Sequence, residues 1–135
     1  MAVIIKCNAL APPAASGKMI AEAPRGNAWP VVGDRAFVWT CETDGGDGLV
    51  ACGAITAVGP GNLRSTRLTI DPDGRAVASP LGKDDLMPYR DSPLGPPIVG
   101  LAKKLYWHAL TKIVSLDSQE EEFLDDRFAP ATTGT

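Results

Sequence analysis

One histidine and three cysteines are all the chain offers in those two residue types, and the scarcity removes several chemistries at once. The cysteines, Cys7, Cys41 and Cys52, are odd in number and widely spaced. With no CxxC pair and no Cys/His cluster, a structural zinc site is not expected. Free, buried thiols in a reducing cytoplasm are the expectation. No apolar run nears the roughly 18 residues needed to span a bilayer. The opening Met1–Lys6 lacks a basic leader, so neither a membrane partner nor a signal peptide is expected. The motifs GxSxG and HExxH and the phosphate loop ending in GK[ST] are all missing, and Ser16-Gly17-Lys18 lacks the upstream glycine such a loop requires. An excess of cations is missing too. Sixteen acidic against thirteen basic residues give a net charge of −3, which disfavours a protein that coats phosphate backbones indiscriminately.

What the chain has in quantity is glycine and proline, 14 and 12 of its 135 residues. That density excludes a helical bundle and predicts short strands joined by many turns. The length suits one domain, expected over residues 1–128, with 129–135 as a disordered tail. Val3–Cys7 reads as a strand. Residues 8–30 read as a long loop, with a helical turn suggested near Lys18–Glu22. Arg35–Cys41 alternates as a strand whose Phe37 and Trp39 face one side and Ala36 and Val38 the other. Asp44–Gly48 is a strong turn, and Leu49–Val58 is the returning strand. Gly53 inside it predicts a bulge or a close backbone approach. Thr66–Ile70 reads as a further strand, with Arg75–Ala78 pairing back onto it after the turn Asp71–Gly74. A helical turn is expected at Lys83–Met87, loop through Pro97, a strand at Ala109–Val114, and a helix opened by a capping box at Ser118–Glu121 and running to about Phe128. The fold class expected is therefore mainly β (α+β): a small, closed or nearly closed barrel of five or six strands with peripheral short helices.

Catalysis has little to build on. His108, in Tyr106-Trp107-His108, could pair with Cys41 or Cys52 as base and nucleophile. No nucleophile motif flanks either cysteine, and both fall inside expected strands. No cofactor is expected, and acidic residues such as Asp44, Asp47, Asp84 and Asp85 read as solvated loop charges. The aromatic residues say more. Only eight are present, yet three are tryptophans: Trp29, Trp39 and Trp107. A small barrel rarely needs three indoles in its core, whereas aromatic walls hold unpaired bases by stacking. Trp29, in a loop between Ala28 and Pro30, is the hardest to assign to a core. Arg25, four residues before it, is placed to reach a phosphate or stack on a base.

The stretch Val31-Val32-Gly33-Asp34-Arg35-Ala36-Phe37-Val38-Trp39, a Gly-rich turn, and then Gly48-Leu49-Val50-Ala51-Cys52-Gly53-Ala54-Ile55 resembles the EVE domain, a branch of the PUA-like superfamily. The resemblance covers Trp29 to Val58. It implies a PUA-like pseudo-barrel with flanking helices, and a modified base of DNA or RNA held in an aromatic pocket. By position it makes Trp39 the first pocket-wall candidate and Trp29 the second, with Thr40 and Cys41 presenting groups to a base edge. Trp107 and His108 match no motif of the family and are added on expected proximity. Contact with nucleic acid is then local, through Arg25, Arg35, Arg64, Arg67, Lys103 and Lys104. The leading expectation is a non-catalytic cytoplasmic module that holds a modified or unpaired nucleobase. The alternatives are a small nucleotide- or RNA-acting enzyme using His108, and a protein-interaction domain whose tryptophans fill the core.

Overall fold

The computed structural model of the chain describes residues 2–7, 17–25, 28–40, 48–61, 64–89, 97–106 and 112–129. Six strands form one mixed sheet: β1 (Ala2–Cys7), β2 (Met19–Pro24), β3 (Arg35–Thr40), β4 (Gly48–Pro60), β5 (Ser65–Pro72) and β6 (Lys112–Leu116). Their spatial order is β2-β5-β4-β3-β1-β6. Only β1 and β3 run parallel; every other neighbouring pair is antiparallel. Among the described residues three short α-helices accompany the sheet: α1 (Lys83–Leu86), α2 (Pro97–Tyr106) and α3 (Ser118–Asp125). None is long and apolar enough to cross a membrane.

Period-two alternation divides the core into two layers. On one face of the sheet, Ile4, Phe37, Trp39, Leu49 and Val114 pack beneath Leu86, Leu101, Leu105 and Leu124 of the helices. On the other, Val3, Ile5, Val38, Ile55, Leu68, Ile70 and Ile113 enclose a second layer with Ala21 and Ala23 of β2. β1 is buried along its whole length because it contributes to both. The sheet bends through β4. Its first half pairs with β3 and its second half with β5, and the two ladders overlap at Gly53 and Ala54. Gly53 lies against the backbone of β5: a Cβ there would come within 2.1 Å of the Asp71 carbonyl oxygen. A register shift between Ile55 and Ala57 adds a bulge, which sharpens twist and bend.

The bend carries β2 round toward β1 and β6. No ladder joins the two edges, however, and the sheet is not closed into a barrel. The architecture is thus a small, mainly β (α+β) domain of six strands with short helices, as expected in class, but its curled sheet stays open where closure into a barrel was expected.

Other departures have local causes. Met19–Pro24 is a strand where the sequence suggested a helical turn. Glu22 sits directly opposite Arg67, with Arg67 Nε donating to Glu22 Oε1 at 2.8 Å, and small Ala21 and Ala23 fit the inner layer. Arg75–Ala78 does not return onto β5; Val77 instead bridges to Phe128. Helix α2 went unforeseen. Its Pro97 occupies the first helical position, where a missing N–H costs nothing. The cap of α3 is Asp117 rather than Ser118: Glu120 N donates to Asp117 Oδ1 at 2.7 Å, and Asp117 N to Glu120 Oε1 at 2.9 Å. The helix ends at Asp125 instead of running to Phe128.

Candidate ligand groove at Trp29

The segment between β2 and β3 alternates inward and outward. Ala28 and Pro30 are buried, whereas Trp29 between them is 73% exposed. Two anchors hold it. Upstream, Ala28 N donates to the Arg25 carbonyl at 3.2 Å. Downstream, Val31-Val32-Gly33-Asp34 forms a turn in which Asp34 N donates to the Val31 carbonyl and Val31 N donates to Asp34 Oδ2, both at 3.1 Å. Gly33 adopts φ +97°, which its position in the turn requires and which side-chain-bearing residues rarely adopt. The turn is stitched to β4, with Gly33 N donating to the Ile55 carbonyl and Ile55 N to that of Asp34, each at 2.9 Å. The Gly-Asp pair preceding β3 is thereby explained as a clamp that sets the Trp29 loop against the sheet.

Between this loop and the tip of the β4–β5 hairpin lies a groove of about 420 Å³. Its lining is Arg25, Trp29 and Pro30 of the segment after β2, Val58, Gly59 and Pro60 of β4, and Arg64, Ser65 and Thr66 at and just before the start of β5. Pro24 pairs with Ser65, so Arg25 follows the β2 end of that ladder and Arg64 precedes its β5 end. The Arg25 guanidinium lies over the indole, its Cζ 3.4 Å from the ring centroid. Among the described residues neither Arg25 nor Arg64 makes an ion pair, although both line the groove. The described lining therefore combines an exposed indole that carries the Arg25 guanidinium, two arginines without an ion-pair partner among the described residues and two hydroxyls, with no carboxylate among them.

The other expected site residues lie elsewhere. Trp39 is fully buried beneath the helices and meets Tyr106 edge-on, with centroids 6.2 Å apart and planes at 75°. Lys6 Nζ sits 3.9 Å from the centroid of the same Tyr106 ring and donates to the Leu105 carbonyl at 2.6 Å, so a buried ammonium closes the end of α2. Thr40 is buried as well, its hydroxyl 3.4 Å from the Gly48 carbonyl that accepts from it. Trp39 and Trp29 do not face each other. Trp39 pairs with Leu49, and the groove begins at Val58, nine residues further along β4, roughly 30 Å of extended chain. The pocket built on both indoles is thus replaced by a groove with one. Strand alternation places Trp39 in the core because its neighbours Phe37 and Ile4 share that face. Cys41, Trp107 and His108 lie outside the described residues. Of the groove residues, Pro30, Val58, Gly59, Pro60, Ser65 and Thr66 are not among the candidates the sequence offers; the break at Gly59-Pro60-Gly61 is the signal that marks that hairpin tip.

A second polar cluster joins β3, β4, the segment after β5, and α3. Arg35 and Arg75 both donate to Asp125 Oδ1, at 2.5 and 2.6 Å. Cys52 Sγ donates to Asp73 Oδ2 at 3.1 Å and accepts from Arg35 at 3.6 Å. Burial, aided by the Asp73 hydrogen bond, pushes the Cys52 thiol up to about 11 against the smaller opposing pull of Arg35. A thiol so protonated and so buried is not poised as a nucleophile. Arg75 also donates through Nε to the Ala129 carbonyl at 2.7 Å, so the cluster fastens the last described residues to the sheet. Among the described residues, no group of His, Cys, Asp and Glu could hold a metal ion. Compared with known proteins, the chain matches no family model, no curated protein and no solved structure.

Proposed function

We propose that the protein is a non-catalytic binding module that holds a modified or unpaired nucleobase on the Trp29 face, with Arg25 and Arg64 beside the phosphate. The observation that carries the reading is the 73% exposure of an indole lining a groove with two arginines that have no acidic partner among the described residues. An exposed tryptophan supplies a π-face on which any base can stack, contributing roughly 1–3 kcal/mol per base. Cations at the rim favour the anionic backbone attached to that base, and Arg adds a planar, bidentate geometry for phosphate. The Ser65 and Thr66 hydroxyls can donate to or accept from a base edge. A PUA-like ancestry remains part of this proposal. It is supported by the resemblance over Trp29 to Val58, the stretch containing the Trp29 loop and its clamp, and by the curl of the six-stranded sheet.

The test is a tryptophan-fluorescence titration with short single-stranded oligonucleotides, DNA and RNA, carrying modified and unmodified bases. Trp29→Ala is expected to weaken binding at least about fivefold, from the lost stacking, while the circular dichroism spectrum stays unchanged because the side chain is exposed. Trp39→Phe should leave affinity intact. Equal affinity of the wild type and Trp29→Ala for every oligonucleotide would sink the proposal. Saturable quenching by phosphatidylserine vesicles but not by oligonucleotide would also reject it, assigning Trp29, Val31 and Val32 to a lipid surface instead.

A further inference from the structure

Arg25 does not project freely into solvent; its guanidinium rests on the indole, on a ring that itself lines the groove. A base entering the groove and the guanidinium therefore seek the same partner. From this geometry we infer that Arg25 is a displaceable cover on Trp29, exchanged for the incoming base and re-paired with that ligand's phosphate. Arg25 is then a specificity-determining residue that selects phosphorylated ligands over bare nucleosides. The inference rests on the reading above that a base stacks on Trp29.

The argument follows from what each ligand returns to the arginine. A nucleoside displaces the guanidinium and offers no anion in exchange, so the lost cation–π contact opposes its binding. A nucleotide displaces the same group and supplies a phosphate, to which Arg forms two parallel charge-assisted hydrogen bonds. The arginine can leave without abandoning another partner, since it makes no ion pair among the described residues. Its backbone is meanwhile held by the Ala28 N–H donating to its carbonyl, so the side chain can swing while the loop stays in place. Arg64, just before β5, lines the groove as a second cation. Among the described residues it covers no ring, and it serves as the comparison residue.

The experiment compares adenosine with adenosine 5′-monophosphate by quenching of the signal that is lost in Trp29→Phe. Titrations are run on the wild type, Arg25→Ala, Arg25→Lys and Arg64→Ala. The wild type should bind the monophosphate more tightly than the nucleoside. In Arg25→Ala the two affinities should move in opposite directions. Nucleoside binding should rise about two- to fivefold, as an exposed cation–π contact no longer competes, and monophosphate binding should fall. Arg25→Lys, which keeps the charge and loses the planar stack, should raise nucleoside binding while retaining preference for the monophosphate. Arg64→Ala should weaken the monophosphate and leave adenosine unchanged. Weaker or unchanged adenosine binding in Arg25→Ala, with the monophosphate still binding the wild type, would overturn the cover and make the arginine one side of a sandwich. Binding of neither ligand to any of these proteins would overturn this inference, while the oligonucleotide titration with Trp29→Ala decides the base-stacking reading separately.

Discussion

Two guanidinium groups converge on one carboxylate oxygen at Asp125. Burial alone would raise this carboxyl, but the hydrogen bonds from Arg75 and Arg35 outweigh it and hold the group below the usual 3.8. The side chains are partly exposed, so each pair is worth at most about 1 kcal/mol. The sign of the pH dependence is set by linkage. A carboxyl whose folded value lies below its unfolded one stabilises the fold fully above the unfolded value, and that contribution is lost as pH falls through the folded one. Stability of the wild type should therefore decline below about pH 4 more steeply than that of Asp125→Asn, which has no proton to take up at this site. Urea midpoints at pH 6 and pH 3 measure this directly, and equal losses in the two proteins would show that the carboxyl is not held down. At the same scale, two tryptophans separate cleanly. Trp39, expected as a pocket wall, is buried in the core on the strand face it shares with Phe37, whereas Trp29 is forced outward by the inward-facing Ala28 and Pro30 on either side.

Among the elements, β4 decides the shape of the sheet, and Gly53 is where it changes partners. A methyl group there would meet the Asp71 carbonyl oxygen at 2.1 Å and Pro72 Cα at 2.7 Å, both of them backbone atoms that cannot rotate aside. Gly53→Ala is accordingly expected to cost about 1–3 kcal/mol. Gly59→Ala, in the same strand with nothing within 4 Å of the added carbon, should change stability by no more than about 0.5 kcal/mol. Denaturant midpoints at constant m-value check the contrast, and a Gly53→Ala protein as stable as Gly59→Ala would remove the close approach from the account of the bend. The β3–β4 hairpin is legible in the sequence because alternation, a glycine-rich turn and the strand glycine all report local geometry. Helix α2 and strand β2 are not. In α2 the prolines before it mask a helical pattern over Ile98, Val99, Leu101, Ala102 and Leu105. In β2 the deciding partner, Arg67 opposite Glu22, is 45 residues away.

Taken as a whole, the molecule joins distant segments in ways no local pattern encodes. β1 pairs parallel to β3 and antiparallel to β6, and the groove exists only because the β4–β5 hairpin tip returns beside the Trp29 loop. That is why Trp29 and Arg25 are legible as candidates but the rest of the groove lining is not. The charge of the whole chain also bears on how the groove can work. A net charge of −3 repels a polyanion at long range, so attraction must come from the two groove arginines at short range. Each phosphate neutralised on a single strand releases condensed counterions and contributes about −0.7 to the slope of log affinity against log salt. Two arginines therefore set a limit of about −1.4 for an oligonucleotide, while adenosine should bind with no comparable dependence. Arg25→Ala and Arg64→Ala should each reduce the oligonucleotide slope by about half. Titrations between low and moderate salt measure these slopes. A wild-type value much steeper than the limit, or one unmoved by either substitution, would place the phosphate contacts on cations outside the groove and detach the backbone from the base on Trp29.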